Sequence, residues 1–332
     1  MMAKSSALVC CFLSLEIFLN SVSCHNHLLP ENHVALFIFG DSILDSGNNN
    51  YLSTIPDFKA DFWPYGETFF EYPTGRFSDG RLIPDFIAEF AGLLLIPAYL
   101  NPGNSKFTNG VNFASGGAGA LVETHQGLVI DLETQIKYFK KAERSLRKEL
   151  GVEETKKLLF DAVYFIGIGG NDYLTKPSGV TDEEFVSMVI GNLTAAFNEI
   201  YKKGGRKFGL TNMMPLDGFK YGYYDFYESI TERLHNPSKY GFKKTTACCG
   251  SGEGRGVYSC GGKRGVSEFV LFENPDEYLF FDAYHYTEKA YEQFTELMWN
   301  GTADIIWPYN LKTLFQATIS SDRSHQFVVQ TL

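Results

Sequence analysis

Apolar runs that end at a glycine mark the buried strands of this chain. Residues 35–39 (Ala-Leu-Phe-Ile-Phe) and 162–166 (Ala-Val-Tyr-Phe-Ile) each lead into a glycine turn followed by polar side chains. Continuous apolar runs of this length are typical of strands that are buried on both faces of a parallel sheet. Further strands are predicted at residues 111–113, 207–212, 219–224 and 278–281.

Helical spacing of apolar residues is found between these strands. Over residues 81–92 the apolar positions recur every three to four residues, and Gly92 is the stop signal that helix ends favour. Further helices are predicted at residues 137–150, 185–201 and 287–299. Strands that alternate with helices indicate the α/β class, with a mainly parallel sheet covered by helices on both faces.

Length and charge favour one sizeable domain and argue against a nucleic-acid partner. The chain has 332 residues, of which 44% are hydrophobic, and a formal net charge of -10. This length allows a large core in one α/β domain. Because the acidic balance repels phosphate groups, neither nucleic acid nor an anionic membrane is expected to bind.

The first 24 residues have the three-part layout of a secretory signal peptide. Lys4 precedes an apolar run over residues 7–19 that is broken only by Ser14 and Glu16, and residues 20–23 are small or polar. The alternative is an uncleaved anchor, but the run is shorter than the ~20 residues that a spanning helix needs. The sequence therefore predicts a secreted, extracellular protein in which residues 25–332 form one domain without stable membrane insertion.

Sequons and cysteines fit an exported protein. Asn192 and Asn300 each begin an Asn-X-Thr acceptor for N-glycosylation. Cys248, Cys249 and Cys260 lie close together in a glycine-rich stretch, which indicates one local disulfide. Their spacing leaves the pairing open, and one thiol can be left over.

Four predicted turns carry the groups that acyl transfer needs. Ser42 follows the first strand, glycines 116–117 the second and Asn171 the third, while Asp282 and His285 follow the last. The carboxyl ends of parallel strands meet at one sheet edge, where ligands bind. A hydroxyl nucleophile needs a base, a carboxylate that orients the base, and N–H donors for the oxyanion.

Each of these turns has an ordinary structural explanation when it is taken alone. Gly-Asp-Ser is common turn chemistry, and an aspartate three residues before a histidine is usually a helix cap. It is a much rarer coincidence that all four of these groups stand at glycine turns after apolar runs. Together they predict a serine hydrolase.

Four sequence blocks carry a family resemblance. They are Phe39–Ser42, Asn112–Gly119, Gly169–Asp172 and Asp282–His285. These blocks resemble those of the SGNH hydrolases, and specifically of the secreted plant GDSL esterase/lipase family. Residues 75–81 and 248–252 are also similar to that family, most of all to its defence-associated lipases.

The resemblance implies a fold, an activity and a role for each site residue. The implied fold is a three-layer α/β/α sandwich of flavodoxin-like type, and the implied activity is hydrolysis of lipid or other acyl esters without metal or cofactor. Ser42 is the implied nucleophile, His285 the base and Asp282 the carboxylate that orients it. Gly117 and Asn171, with the Ser42 backbone N–H, are implied to form the oxyanion hole.

The chain departs from the family pattern at three places. Relatives usually carry proline where Tyr286 stands and cysteine where Phe272 stands, and several dozen residues, including a helix, are missing after residue 216. About six residues then join the strands at 207–212 and 219–224, whereas a parallel crossover needs about a dozen. These two strands are therefore predicted not to be parallel neighbours.

Two alternative functions follow from the same residues. The shortened middle region and Tyr286 favour a catalytically silent scaffold or binding protein. An acyltransferase is the other alternative, because it uses the same acyl-enzyme chemistry with an alcohol as the acceptor.

Overall fold

The computed structural model describes residues 33–104, 106–211 and 219–318. Its strands are β1 (Leu36–Gly40), β2 (Gly110–Asn112), β3 (Val163–Gly167), β4 (Lys207–Thr211), β5 (Lys220–Tyr224), β6 (Lys244–Ala247), β7 (Cys249–Gly250), β8 (Val270–Leu271), β9 (Tyr278–Phe280) and β10 (Ile306–Pro308). Its helices are α1 (Ile83–Phe90), α2 (Leu132–Leu150), α3 (Val152–Asp161), α4 (Gly170–Leu174), α5 (Asp182–Lys202), α6 (Phe226–His235), α7 (Glu288–Asn300) and α8 (Leu311–Gln316).

Six strands form the central sheet in the order β10-β5-β4-β3-β1-β2. Strands β1 to β5 run parallel to their neighbours, and β10 joins β5 antiparallel at one edge. The order of the first five strands is that of flavodoxin-like sheets, whose binding crevice lies where the strand order reverses, between β1 and β3. The α/β prediction with a mainly parallel sheet is confirmed.

Alternate residues of β1 pack against different helical layers, because successive side chains of a strand point to opposite faces. Leu36 and Ile38 belong to a core cluster with residues of α1, α7 and α8. Phe37 and Phe39 instead contact the ring of Phe139 on α2, with centroids 5.5 and 5.8 Å away. Phe139 and the four apolar side chains of β1 are all fully buried, so β1 is covered on both faces, as the apolar run predicts.

The parallel pairing of β4 with β5 contradicts the sequence-based prediction. The two strands pair in parallel from Lys207 opposite Lys220 to Thr211 opposite Tyr224. The return from Thr211 to Lys220 spans about 14 Å, and the eight intervening residues can reach roughly 30 Å when extended. The prediction that these strands are not parallel neighbours was wrong. The usual minimum of about a dozen residues applies to crossovers that contain a helix. A helix is also predicted to be missing after residue 216. That point of the chain falls in residues 212–218, which lie outside the described residues.

One local disulfide holds the segment that precedes β9. Cys249 pairs with Cys260, and Cys248 is a buried free thiol whose Sγ lies 3.4 Å from the carbonyl oxygen of Phe272. Phe272 stands where the family is expected to carry a cysteine. Burial raises the pKa of Cys248 to about 12, so this thiol is unreactive at neutral pH.

The signal-peptide prediction for residues 1–24 also lies outside the described residues. From Val34 onward the described chain belongs to one compact unit. Within the described ranges, none of the helices has the length and apolar character needed to cross a bilayer.

Candidate active site

The predicted site residues meet at the carboxyl edge of the sheet. Ser42 follows β1 and Asn171 follows β3, so both lie at the point where the strand order reverses. A cavity of about 710 Å³ opens there, and Ser42, Gly117, Asn171 and His285 all line it. Asp282 is fully buried behind His285. The structure thus brings together all five residues that the sequence analysis selected.

Ser42, His285 and Asp282 form a continuous hydrogen-bonded row. Nε2 of His285 lies 2.8 Å from Oγ of Ser42. Nδ1 of the same ring lies 2.8 and 2.9 Å from the two carboxylate oxygens of Asp282. With the proton on Nδ1, Nε2 is free to accept the serine proton, which is the arrangement that activates a hydroxyl nucleophile.

Asp282 also holds its own loop, as an aspartate near a helix start commonly does. Its Oδ1 accepts the backbone N–H groups of Tyr284 and His285 at 2.8 and 2.9 Å. The N-cap of α7 is nevertheless Thr287, whose hydroxyl accepts the Ala290 N–H. Asp282 therefore sets the turn that places His285, and it contacts the imidazole as well.

Asp282 is held in its ionised form although it is buried. Desolvation opposes the charge, but the imidazole of His285, the guanidinium of Arg264 and the hydroxyl of Tyr65 outweigh it and lower the pKa of Asp282 to about 2. The Tyr65 hydroxyl donates to Asp282 Oδ2 at 2.6 Å. Sequence reasoning missed Tyr65 and Arg264, because Tyr65 stands 217 positions from Asp282 and no local pattern links them.

Asp41, next to the nucleophile, behaves in the opposite way. Burial raises its pKa to about 7, and the backbone N–H of Ile43 only partly counteracts this. That N–H, at 3.2 Å, is the one hydrogen-bond donor that reaches the Asp41 side chain among the described residues. A large part of the Asp41 population is therefore neutral near pH 7.

A buried aspartate aligns the turn that contains Gly117. Asp45 accepts the backbone N–H of Gly116 at 3.0 Å and those of Gly47 and Asn48 at 2.8 and 2.7 Å. Burial raises the pKa of Asp45 to about 6, against the effect of these donors. Its place in the Asp-Ser-Gly-Asn stretch at 45–48 is the sequence signal, since aspartate in such loops commonly accepts backbone N–H groups.

Gly117 needs the freedom of glycine. Its φ is +81°, and a Cβ at this position would lie 2.4 Å from a ring carbon of Phe58. Within the described chain, the backbone N–H groups of Gly117 and Ser42 donate to no protein acceptor. Since a buried N–H normally has a partner, these two groups are available to a ligand in the cavity.

The turn after β3 is tied to the turn that contains Gly117. The side-chain amide of Asn171 donates to the carbonyl of Ala118 at 3.0 Å. The buried carboxylate of Asp172 accepts the backbone N–H groups of residues 120 and 121 at 2.8 and 3.0 Å. The two turns therefore hold each other in place at the cavity wall.

Tyr286 fills space in an aromatic cluster. Its side chain is 8% exposed and stacks on Phe280, with ring centroids 5.1 Å apart. Its edge contacts with Phe226 and Phe294 have centroid distances of 5.7 and 5.3 Å. The departure from proline is thus accommodated by packing, while His285 keeps its contact with Ser42.

Beyond these polar groups, the cavity has an apolar wall. It is formed by side chains of α4, α5 and α6, namely Leu174, Val189, Ile190, Leu193, Phe226 and Ile230. Among the residues that the structure describes, no three histidine, cysteine, aspartate or glutamate side chains group closely enough to hold a metal ion. The arrangement can bind an apolar group beside a nucleophile, a base and N–H donors.

Sequence comparisons show which family the chain belongs to. Residues 36–236 match the family described as GDSL-like Lipase/Acylhydrolase. The chain is 46% identical to GDSL esterase/lipase 1 of Arabidopsis thaliana, with 95% of this chain and 100% of that protein aligned. It is 48% identical to GDSL esterase/lipase 5 of the same plant, over 88% and 90% of the two chains. It is also 45% identical to a GDSL lipase of Tanacetum cinerariifolium, over 89% and 91%.

The alignments also show that the chain is shorter than its relatives. The alignment with GDSL esterase/lipase 1 has 372 positions, whereas 95% of 332 residues is about 315. Several dozen positions thus have no counterpart in this chain, which agrees in size with the segment predicted to be absent after residue 216. The matches nevertheless cover most of both proteins. The chain therefore belongs to the GDSL esterase/lipase family of carboxylic ester hydrolases.

Proposed function

We propose that this chain hydrolyses carboxylic esters with Ser42 as the nucleophile, His285 as the general base and Asp282 as the carboxylate that orients the base. The observation that carries the proposal is the 2.8 Å contact between Ser42 Oγ and His285 Nε2, while Nδ1 of the same ring contacts Asp282. This is the order of groups in which a carboxylate fixes the tautomer and the imidazole moves the proton.

The chemistry takes place in two halves. Ser42 Oγ attacks the ester carbonyl while its proton passes to Nε2 of His285, and the tetrahedral intermediate then expels the alcohol, which receives that proton. Water attacks the resulting acyl-serine with His285 again as the base, so that the acid is released and Ser42 regains its proton. Asp282 stays ionised throughout and stabilises the imidazolium.

The oxyanion that develops in each half needs N–H donors. We assign this role to the backbone N–H groups of Ser42 and Gly117 and to the side chain of Asn171. The absence of protein acceptors for the two backbone groups, and the position of all three residues at the cavity, support the assignment. Each such donor typically contributes about 10²–10³-fold to turnover.

The substrate is a small-molecule ester or a lipid, as the family suggests. The apolar wall on α5 and α6 suits the hydrocarbon part of such an ester, because removal of apolar surface from water favours binding. Transfer of the acyl group to an alcohol would need the same residues. Product analysis in the presence of an alcohol separates hydrolysis from acyl transfer.

Turnover of a short-chain ester by the Ser42→Ala variant tests the proposal. We expect the rate to fall by about 10⁴-fold or more with the fold intact, since the acyl-enzyme cannot form. The matched control is Ser145→Ala, which removes an exposed serine hydroxyl on α2 and should leave the rate unchanged. Full activity of Ser42→Ala would refute the assignment, and an inactive but folded wild-type chain would favour the silent-scaffold alternative.

We also propose export and glycosylation of the chain. The N-terminal pattern supports a signal peptide over residues 1–24, and Asn192 and Asn300 are both exposed at their places on α5 and α7. Secretion from a eukaryotic host should give a mature N-terminus near residue 25 and one glycan at each asparagine. Asn192→Gln and Asn300→Gln should each lower the mass by one glycan, and an unchanged mass would exclude that site.

A further inference from the structure

The hydrogen-bond row of the active site continues behind Asp282. The Tyr65 hydroxyl donates to Asp282 Oδ2 at 2.6 Å, and Nη1 of Arg264 donates to the Tyr65 hydroxyl oxygen at 2.6 Å. We propose that Tyr65 and Arg264 are positioning residues that fix the direction and the charge of the Asp282 carboxylate. This inference rests on the proposed function of the Ser42 site, in which Asp282 orients the base, His285.

Arg264 determines which way the Tyr65 hydroxyl points. Arginine only donates hydrogen bonds, whereas a tyrosine hydroxyl has one proton to donate and can also accept. Because the Tyr65 oxygen accepts from Arg264, its single proton is directed at Asp282. Bonds in such a row polarise one another, so the guanidinium strengthens the contact between Tyr65 and Asp282.

Arg264 is itself held on several sides. Its three nitrogens donate to the backbone carbonyls of Pro56, Lys59 and Cys260, at 3.2, 2.6 and 3.1 Å. Its guanidinium also lies 3.9 Å from the ring centroid of Tyr258. Cys260 belongs to the disulfide with Cys249, so this anchor is covalently tied to the segment that precedes β9. A planar fork with this many acceptors has one orientation, which lysine could not reproduce in full.

The charge of Arg264 matters for His285. A lone carboxylate beside the imidazole would favour its protonated form and so reduce the neutral base available to Ser42. The Tyr65 hydroxyl donates to that carboxylate and Arg264 donates to Tyr65, so loss of either group would leave more of the carboxylate's charge to act on the imidazole. Among the described residues, the titratable side chains around His285 and Asp282 or beside them on the cavity wall include Asp41, Asp57, Tyr65, His125, Tyr258, Arg264, Tyr284, Tyr286 and Tyr291. Of these, Arg264 carries a permanent positive charge.

The test is an NMR titration of the His285 ring in the whole chain, which needs no turnover. Tyr65→Phe removes one oxygen and keeps the ring that packs on Phe281. Arg264→Gln removes the charge, and Arg264→Lys retains it. We expect the titration midpoint to rise by roughly half to one pH unit in Tyr65→Phe and Arg264→Gln, and to stay close to the wild-type midpoint in Arg264→Lys.

Tyr164→Phe is the matched control. Tyr164 is also fully buried, and its hydroxyl donates to the carbonyl of Leu159 at 2.8 Å, so the variant loses a comparable hydrogen bond that does not involve Asp282. Its midpoint should equal that of the wild type. We further expect kcat/KM for an ester to fall about tenfold to a hundredfold in Tyr65→Phe and less in Tyr164→Phe.

A wild-type midpoint in folded Tyr65→Phe would overturn the inference and leave Arg264 as a cross-link between loops. If Arg264→Gln fails to fold, Tyr65→Phe still decides, because it keeps the packing of the ring. Failure of the proposed function would show differently, as ester turnover that survives Ser42→Ala. The titration midpoints judge Tyr65 and Arg264 in either case.

Discussion

Two loops of the candidate active site carry buried aspartates in opposite states. Asp282, in the loop after β9, has its pKa lowered to about 2, whereas Asp41, in the loop after β1, has its pKa raised to about 7. Both side chains are buried, so burial alone does not decide their charge. The difference lies in their partners, because hydrogen-bond donors and nearby cations favour the ionised form.

The pKa of Asp45 lies between those of Asp282 and Asp41. Four groups donate to Asp282, namely two backbone N–H groups, the His285 ring and the Tyr65 hydroxyl. Three backbone N–H groups donate to Asp45, whose pKa is about 6, and one donates to Asp41. The site therefore keeps an ionised carboxylate behind its base and, beside its nucleophile, a carboxyl that is about half neutral at pH 7.

The largest effect is expected for Asp282→Asn. The amide cannot fix the tautomer with the proton on Nδ1, and it cannot stabilise the imidazolium, so kcat should fall by about 10⁴-fold. Steady-state hydrolysis of a short-chain ester, with circular dichroism to verify folding, measures this. A fall of less than about tenfold would show that the charge behind His285 is not needed.

Asn171→Ala should have the next largest effect. Loss of one oxyanion donor should lower kcat by about 10²–10³-fold and change KM little, because the interaction forms in the transition state. The variant also loses the hydrogen bond to Ala118, so its thermal stability should be measured in parallel. An effect confined to KM would move Asn171 from the oxyanion hole to substrate binding.

Asp45→Asn should mainly affect stability. The new amide can accept from Gly47 and Asn48, but its NH₂ group then faces the N–H of Gly116. We expect the free energy of unfolding to fall by about 1–3 kcal/mol, with a smaller loss of turnover as the turn with Gly117 shifts. Denaturant unfolding measures the first and ester hydrolysis the second. If the variant were as stable as the wild type, the backbone N–H groups that donate to Asp45 would have to find other acceptors.

Asp41→Asn should have the smallest effect on turnover, within about threefold at pH 7, because the amide resembles the neutral carboxyl. Its signature is in the pH dependence of stability. Since the pKa of Asp41 is about 7 in the folded chain and near 4 when unfolded, the folded state binds the extra proton and wild-type stability falls as pH rises from about 4 to 7. In denaturant titrations the fall in stability from pH 4 to 7 should be smaller in the variant by on the order of 3 kcal/mol.

Asp282 contributes to stability in another pH range. Its folded pKa of about 2 lies below the unfolded value, so its stabilising effect is present above about pH 4 and is lost as pH falls toward 2. The free energy of unfolding of Asp41→Asn should therefore still decrease as pH falls from about 4 toward 2. Asp45, whose pKa of about 6 is also raised, keeps part of the slope from pH 4 to 7 in that variant. A slope equal to that of the wild type would contradict the contribution assigned to Asp41.

The sequence predicts the parts of this molecule whose signals are local. The apolar run before Ser42, the spacing that ends at Gly92 and the turn between Asp282 and His285 all depend on near neighbours. Tyr65 and Arg264 escape such reasoning, because their contact with the site depends on how distant loops pack. The pairing of β4 with β5 escaped it as well, because a rule about helical crossovers was applied to a shorter link.

The most direct test of the Ser42–His285–Asp282 assignment is labelling with a serine-reactive phosphonate, followed by mass spectrometry of the modified peptide. The account predicts one probe per chain, attached at Ser42, and labelling that is at least a hundredfold slower in Asp282→Asn because the base is no longer oriented. A folded wild-type chain that stays unlabelled, or that is labelled at another residue, would contradict it.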